Sequence, residues 1–406
     1  MAVTKSPLKI IYGIQGEGRG HASRSLHLIH HLLDQGHSIE IFTGGDALPL
    51  LQGESLPLMH VPLLRLYYGC AGNLHILKTA YWNFRRFWGL LTGLSLEYRT
   101  IKQKIAAIAP DFIISDFEPF TAFIGKRLGI PVLSIDHQRQ ITETELPGFN
   151  LRHQRFLIFL YKLFIRILCG PSDRSIVSSF YHFPARQKTK SVFVGPFIHK
   201  MLYQLKATQG KHITIYLKES QYLRYLLPAI TPISNVSFQI FSNWVKNDQS
   251  IQFPDNVALF SIDQHVFLHS LASCQALITT AGNQVIGEAI FLGKPILAFP
   301  KIADIEQEIN ARALLQSGFG ETFSLQSITS DQILTFISQL SHYRAIIRKN
   351  VGIRLMYDGT FHTLKMIDQF IEDFIDVRSQ LKFNSWKSKF KLESIGFTRL
   401  GFEFNR

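Results

Sequence analysis

Apolar and polar positions along this chain alternate between two periods. Short apolar runs, the length of buried strands, are separated by stretches in which apolar residues recur on one helical face. Strands are predicted at 9–13, 38–42, 111–115, 132–135, 175–177 and 192–194. Between the first two, Ala22, Leu26, Ile29 and Leu33 keep helical spacing and Gly36 ends the helix. The pattern restarts with strands at 212–217, 236–241, 257–260, 276–279 and 295–299, and helices at 222–229, 265–272, 284–292 and 306–315. Such alternation implies βαβ units around parallel sheets. The rhythm breaks at 194–211, "VGPFIHKMLYQLKATQGK". The expected fold class is therefore α/β, with two Rossmann-like domains whose parallel sheets face each other across a cleft. They cover 1–197 and 198–376, followed by a basic aromatic tail at 377–406. Open sheets of this type hold ligands at the carboxyl ends of their strands, so the cleft is the expected site.

Composition narrows the class. The 406 residues suffice for two cores, and 46% hydrophobic against 18% charged residues excludes a disordered chain. No apolar run approaches the roughly 18 residues of a spanning helix, and the start lacks the h-region of a secretory leader. Cys70, Cys169 and Cys274 form no framework, which suits a reducing cytoplasm.

The formal charge of +13 is compatible with nucleic acid or an anionic membrane surface. Its distribution favours the membrane. "LRHQRFLIFLYKLFIRILCG", 151–170, sets Arg152, Arg155, Lys162 and Arg166 in one helical stripe against an apolar, aromatic face. "YWNFRRFW", 81–88, repeats that chemistry with two tryptophans. Helices of this kind rest in a headgroup layer when exposed, where each basic residue adds about 1 kcal/mol; the alternative is a buried helix with its basic stripe in water. No nucleic-acid-binding module is recognised, so that partner is not expected. The tail at 385–406, with Lys387, Lys389 and Lys391 among phenylalanines, reads as a loose basic terminus or a surface anchor.

Two glycine-bearing turns carry the candidate chemistry. The first, "GIQGEGRGHASR", 13–24, follows a strand and opens a helix, as a dinucleotide loop does. A GxGxxG match starting at Gly16 puts His21 where the third glycine belongs. The acid expected about 20 residues on is also missing, because the second strand ends Ile41-Phe42-Thr43. No dinucleotide cofactor is expected; the glycines let substrate and backbone approach, with His21 aimed at the cleft. The second, "LITTAGNQVIGEAIFLGKPILAFP", 277–300, ends a buried strand at Thr279-Thr280, and Gly282 opens a helix near Asn283. Free amides there can hold phosphate oxygens. Glu288, six residues on, could accept both hydroxyls of a ribose. "KIADIEQEINARALL" then brings Glu306, Gln307 and Asn310 to a helix start, groups that suit sugar hydroxyls. Taken singly these residues also fit ordinary strand–helix punctuation and a solvated carboxylate.

The segment 263–311 resembles the donor-binding half of GT-B glycosyltransferases, most closely the peptidoglycan-type N-acetylglucosaminyltransferases. "AGNQVIGEA", "LGKPILAFP" and "EQEINA" fall in that family's order and intervals, and "GEGRGHASR" resembles its N-terminal glycine loop. The likeness covers most of 8–375, strongly at the two turns and weakly between them. It implies a nucleotide sugar, usually UDP-linked, in the second domain. Backbone at 261–264, including Ser261 and Ile262, would hold the base and Glu288 the ribose. Thr280, Ala281, Gly282 and Asn283 would meet the diphosphate, and Gln307 the sugar. Glu306 stands where close relatives often have Gln, which points to a different sugar. Retaining members carry two glutamates eight positions apart; Thr280 stands eight before Glu288, favouring inversion.

Inversion needs a base for the acceptor hydroxyl and stabilisation of the departing diphosphate. His21, beside Gly18 and Gly20, is the first choice of base, its alternative being a histidine that merely caps the turn. Asp116, Glu118, Asp136 and His137, in "IISDFEPF" and "VLSIDHQRQ", would face the cleft from the acceptor side, unless they are ordinary strand-end groups. Asp136 matches an acidic position of the peptidoglycan enzymes and is a rival base or the orienter of His21. No metal is expected. His27, His30 and His31 lack a third ligand, and Asp116-Phe117-Glu118 sits inside a βαβ series rather than in a metal–diphosphate motif. The expected protein is an inverting hexosyl- or N-acetylhexosaminyltransferase without a cofactor. It would be cytoplasmic and peripheral on the inner membrane face, acting on an amphiphilic or lipid-linked acceptor. The alternatives are a nucleotide-sugar 2-epimerase and a non-catalytic GT-B-like partner subunit.

Overall fold

The computed structural model describes residues 7–17, 20–64, 67, 76–146, 155–243, 253–302, 304–351 and 358–392. Strands β1 (Lys9–Ile14), β2 (Ser38–Thr43), β3 (Leu58–His60), β4 (Phe112–Asp116), β5 (Val132–Asp136), β6 (Arg174–Ser178) and β7 (Ser191–Val194) form one sheet, in the order β3-β2-β1-β4-β5-β6-β7. Strands β8 (His212–Tyr216), β9 (Ser237–Phe241), β10 (Val257–Phe260), β11 (Leu277–Thr280), β12 (Ile296–Phe299) and β13 (Gly320–Thr322) form the other, in the order β10-β9-β8-β11-β12-β13. Every pairing is parallel. Strands β4, β5 and β12 are buried at each position, as central parallel strands covered on both faces must be.

Both sheets reverse direction between their first strand and its later neighbour, β1 beside β4 and β8 beside β11. At such a switch point the two connections leave to opposite sides and open a crevice at the strand ends. Ile14 pairs with Asp116 there, so the loop after β1 and the end of β4 lie level. The helix Gly20–Asp34 buries Ala22, Ser25, Leu28, Ile29 and Leu32, leaving the expected Leu26 and Leu33 half-buried at its edge. In the second sheet, Asp263 caps the helix Gln264–Ser273, and Asp304 caps Ile305–Ser317.

One apolar cluster runs from Ile11 and Phe120 in the first half to Phe267 and Ile290 in the second. Both sheets accordingly belong to one compact unit, Met1–Thr360. Phe361–Arg406 forms a second unit, largely the continuation of the helix Gly359–Leu392. Of the predicted tail, residues 393–406 lie outside the described residues.

The helices Ile76–Thr92 and Arg155–Cys169 contain no Asp or Glu. Their apolar faces are only partly covered: Tyr81 and Phe84 are each 65% exposed, Trp88 is 56% exposed, and Trp82, Phe159 and Leu163 are also exposed. Arg166 is exposed and Lys162 half-buried, while Arg152 and the side chain of Arg155 lie outside the described residues. No described helix is long and apolar enough to cross a membrane.

Candidate active site

The turn after β1 is built by close packing of the chain on itself. A Cβ on Gly13 would stand 2.2 Å from Thr121 Oγ1, and one on Gly16 would stand 1.9 Å from the Gly44 carbonyl oxygen. These two glycines thus admit protein neighbours, a side chain at Gly13 and backbone at Gly16. Gly20 is exposed with open space around it, and Gly18 lies outside the described residues.

His21, in the first turn of the helix Gly20–Asp34, places Nδ1 2.8 Å from Asp116 Oδ1. Arg24, one turn on, donates Nε to Asp116 Oδ2 at 2.7 Å and Nη2 to Oδ1, and the Ser25 hydroxyl donates to Oδ2 at 2.9 Å. Burial alone would raise the Asp116 carboxyl; the charges and hydrogen bonds of Arg24 and His21 overturn that and hold it well below the usual carboxylate range. Arg24 Nη2 also lies 2.8 Å from His21 Nδ1, and that atom cannot both donate to Asp116 and accept from Arg24. The tautomer that donates to the carboxylate leaves Nε2 as a proton acceptor. Phe117 adopts φ +56°, the left-handed region that costs a non-glycine residue about 1 kcal/mol, and its ring stacks on His21 at 5.9 Å.

The other acids of this half have structural partners. Asp136 accepts from the Ser134 hydroxyl, Arg139 N and Arg139 Nε, and is fully buried. The carboxylate that contacts His21 is Asp116. Glu118 caps the helix Pro119–Arg127, accepting from Phe120 N, Thr121 N and Thr121 Oγ1, with no free oxygen for the cleft. His137 donates Nδ1 to the Ser178 carbonyl at 2.6 Å, and burial drives it down to about 4, so the ring is neutral. Its Nε2 stands 3.7 Å from Glu306 Oε1, across from the second sheet.

On the second sheet, Gly282 caps the helix Asn283–Phe291 without a side-chain cap hydrogen bond and with open space at its Cβ. Thr280 is half-buried, the Ala281 carbonyl accepts from Asn310 Nδ2, and Asn283 Oδ1 accepts from Phe180 N of the first half. Glu288 is not a solvated residue. It is 5% exposed, Oε1 accepts from Gln284 Nε2 at 2.9 Å, and burial pushes it up to about 7. Gln284 Nε2 also donates to the Phe197 carbonyl. Ser261 is exposed and Ile262 half-buried just before the helix Gln264–Ser273, whose Gln264 donates to Ser23 Oγ across the cleft. Burial raises Glu306 against the lowering charges of His21 and Arg24, which it faces. Gln307 instead turns back, its Oε1 accepting from Lys301 N.

A cavity of about 190 Å³ joins the two sides, lined by Ser23, Arg24, His27, Phe197, Gln264 and Gln284 among others. It links the partner of Glu288 to the partner of His21. Buried His137 Nε2, Gln138 Oε1, Gln284 Oε1 and Asn310 Oδ1 have no hydrogen-bond partner among the described residues. Groups of this kind await a ligand or water. His27 and His30 border this cavity rather than open solvent, and His30 pairs with Glu54 at 2.8 Å. No three metal-binding side chains gather among the described residues. Arg24 and Gln284 received no role from sequence, yet one stands three residues after His21 and the other four before Glu288, the spacings at which helix neighbours meet.

Comparison with known proteins fixes the class of this site. The family model described as glycosyl transferase family 1 matches residues 8–341. The chain belongs to that family. An uncharacterised glycosyltransferase of Methanosarcina acetivorans is 23% identical over 381 residues, 89% of this chain and 96% of that protein. Among solved structures, the glycosyltransferase VinC in complex with DTDP superposes with a TM-score of 0.62 at 14% identity, covering 90% of this chain and 100% of VinC. Acinetobacter baumannii MurG does so with 0.57 at 16%, covering 89% and 100%. This family 1 glycosyltransferase thus has the GT-B fold, and its two facing parallel sheets are those the sequence predicts.

Proposed function

We propose that the protein moves a hexosyl or N-acetylhexosaminyl group, with inversion, from a UDP-linked donor to an amphiphilic or lipid-linked acceptor at the cytoplasmic membrane face. His21 Nε2 takes the proton of the acceptor hydroxyl as its oxygen attacks the anomeric carbon. Asp116 holds the imidazole and balances the imidazolium that forms. The bond from the anomeric carbon to the diphosphate breaks as the new one forms, and the leaving charge meets the uncapped amides of the helix Asn283–Phe291. Thr280, in place of a second glutamate, fits inversion.

The nucleoside lies in the cavity beside Gln264 and Gln284. Its ribose displaces Gln284 from Glu288, and its base meets backbone near Ser261 and Ile262. The cavity is smaller than the roughly 300–1,000 Å³ usual for ligands, so the Gln264–Ser23 and Gln284–Phe197 bonds give way on binding. VinC, solved with DTDP, offers a nucleoside diphosphate in a neighbour of the same fold. The carboxylate-free aromatic helices Ile76–Thr92 and Arg155–Cys169 support the membrane-side acceptor, since exposed Trp and Tyr beside basic groups suit a headgroup layer.

The observation that carries the reading is the His21–Asp116 pair at the β1/β4 switch point, whose partner Arg24 lines one cavity with Gln284. Incubation with UDP-sugars, alone and with lipid-phosphate acceptors, tests it by product NMR. The expected product is a glycoside of inverted anomeric configuration, formed only when acceptor is present. Retained configuration overturns the inversion, and an epimerised sugar from donor alone overturns transfer. Absence of flotation with anionic liposomes at moderate salt removes the membrane-side acceptor.

A further inference from the structure

Cations in this chain that leave the solvent generally meet a carboxylate. Arg24 lies on Asp116, Arg139 on Asp136, Lys301 on Glu219 and Arg312 on Glu308. One cluster departs from that pattern. Lys294, in the turn after the helix Asn283–Phe291, is 3% exposed, and its ammonium donates only to the carbonyls of Thr208 and Cys274. Arg344 donates to the Gln275 carbonyl at 3.2 Å, and Arg348 follows one turn later on the helix Leu340–Val351. None of the three forms an ion pair among the described residues. Burial, with Arg344 adding to it, pulls Lys294 down, and burial with Arg348 pulls Arg344 down, each against an opposing influence of the buried Cys274 thiol. No carboxylate offsets these cations among the described residues.

All three line a groove of about 490 Å³, and no Asp or Glu is among its lining residues. Asp358, near its rim, accepts from the Tyr203 hydroxyl. Leu202, Leu205, Phe291 and Ile347 supply an apolar wall. The groove shares no lining residue with the cavity between Arg24 and Gln284. We propose that it binds a phosphoryl-bearing organic molecule, with the phosphate against Lys294, Arg344 and Arg348 and the organic part against that wall. A dianion offsets more of three crowded cations than a carboxylate does, and planar guanidinium forks suit its oxygens. Because residues 202–209 lie between β7 and β8, a bound ligand would brace the connection between the two sheets.

Calorimetry on the full chain with phenyl phosphate and inorganic phosphate tests the proposal, beside an Arg344→Gln/Arg348→Gln variant. Both arginines stand at the surface end of the groove, whereas a Lys294 variant would also loosen the linker. Phenyl phosphate should bind more tightly than inorganic phosphate, and the double variant should lose at least about tenfold in affinity. A His21→Ala variant should bind phenyl phosphate as the wild type does. Unchanged affinity in the double variant overturns the site. Loss of all binding at about 150 mM chloride means an adventitious ion only and overturns it equally. Tighter association with phosphatidic acid vesicles than with phosphatidylcholine vesicles, lost in the double variant, assigns the phosphate to a lipid headgroup; its absence assigns a soluble source.

Discussion

The two walls of the cleft each bury a carboxylate, and they treat it in opposite ways. On the first sheet Asp116 is surrounded by donors from His21, Arg24 and Ser25, and is held ionised. On the second sheet Glu288 has one donor, Gln284, and burial pushes it up to about 7. The first carboxylate is finished before any ligand arrives: its charge is paired and the imidazole is aligned. The second is left with a single side-chain donor among the described residues, Gln284, whose own Oε1 lacks a partner there. A group that must act in a transition state gains from being fixed in advance, whereas a group that must grip a ligand has to keep bonding capacity in reserve. On the proposed mechanism, the asymmetry separates the wall that does chemistry from the wall that binds.

The largest effects should follow from breaking the finished wall. His21→Ala should lower turnover by roughly 100- to 10,000-fold while nucleotide affinity, read by calorimetry, stays near that of the wild type. Wild-type turnover in that variant would remove His21 as base. Asp116→Asn should reduce turnover and also destabilise the fold by about 3–5 kcal/mol, because Arg24 is left buried without its counter-charge. The pH dependence has a definite sign. A depressed carboxyl contributes stability that is present above the ordinary value of about 3.9 and lost as pH falls through its lower folded value. Denaturant titrations should therefore show a flatter acid limb in Asp116→Asn than in the wild type.

How much of this contrast the sequence carries depends on what each part of it requires. The strands were legible from their period, except β3 and β13, whose three residues are too few to display one. His21 stands out in the sequence because it occupies the place where a dinucleotide loop would need glycine. The choice between Asp116 and Asp136 was not. Both end apolar strands, and only the strand order, which puts β4 beside β1 and β5 one place further out, brings Asp116 to His21. Strand order is a long-range property that local periodicity does not encode. Glu288 was placed on the right helix, but its burial depends on the chain at 195–197: a Cβ on Gly287 would stand 2.3 Å from Pro196 Cβ. That contact joins segments far apart in sequence.

Intermediate effects belong to the unfinished wall. A raised carboxyl contributes stability that is full below its unfolded value of about 4.3 and is lost as pH rises through the folded value of about 7. Glu288→Gln should remove that loss. Between pH 5 and pH 8 the wild type should lose roughly 3 kcal/mol of unfolding free energy relative to the variant. Donor affinity should move the other way: ribose hydroxyls favour the ionised carboxylate, so wild-type binding should strengthen as pH rises through 7 and the variant's should stay flat. Parallel pH curves for the two proteins would show that Glu288 is ionised throughout, and the contrast between the walls would fail.

The smallest effect sharpens the contrast most. Gln284→Ala removes the one side-chain donor to Glu288 and, with it, the bond to the Phe197 carbonyl. Each lost bond is worth about 1 kcal/mol, and the loss is offset in part because the partnerless Oε1 disappears as well. Stability should therefore change little. Among the described residues the Gln284 bond is the side-chain influence that lowers the Glu288 carboxyl, so without it the midpoint for donor binding should move to higher pH. A midpoint that moved to lower pH would mean that water or another group already satisfies Glu288 better than Gln284 does. In that case the second wall would be as complete as the first.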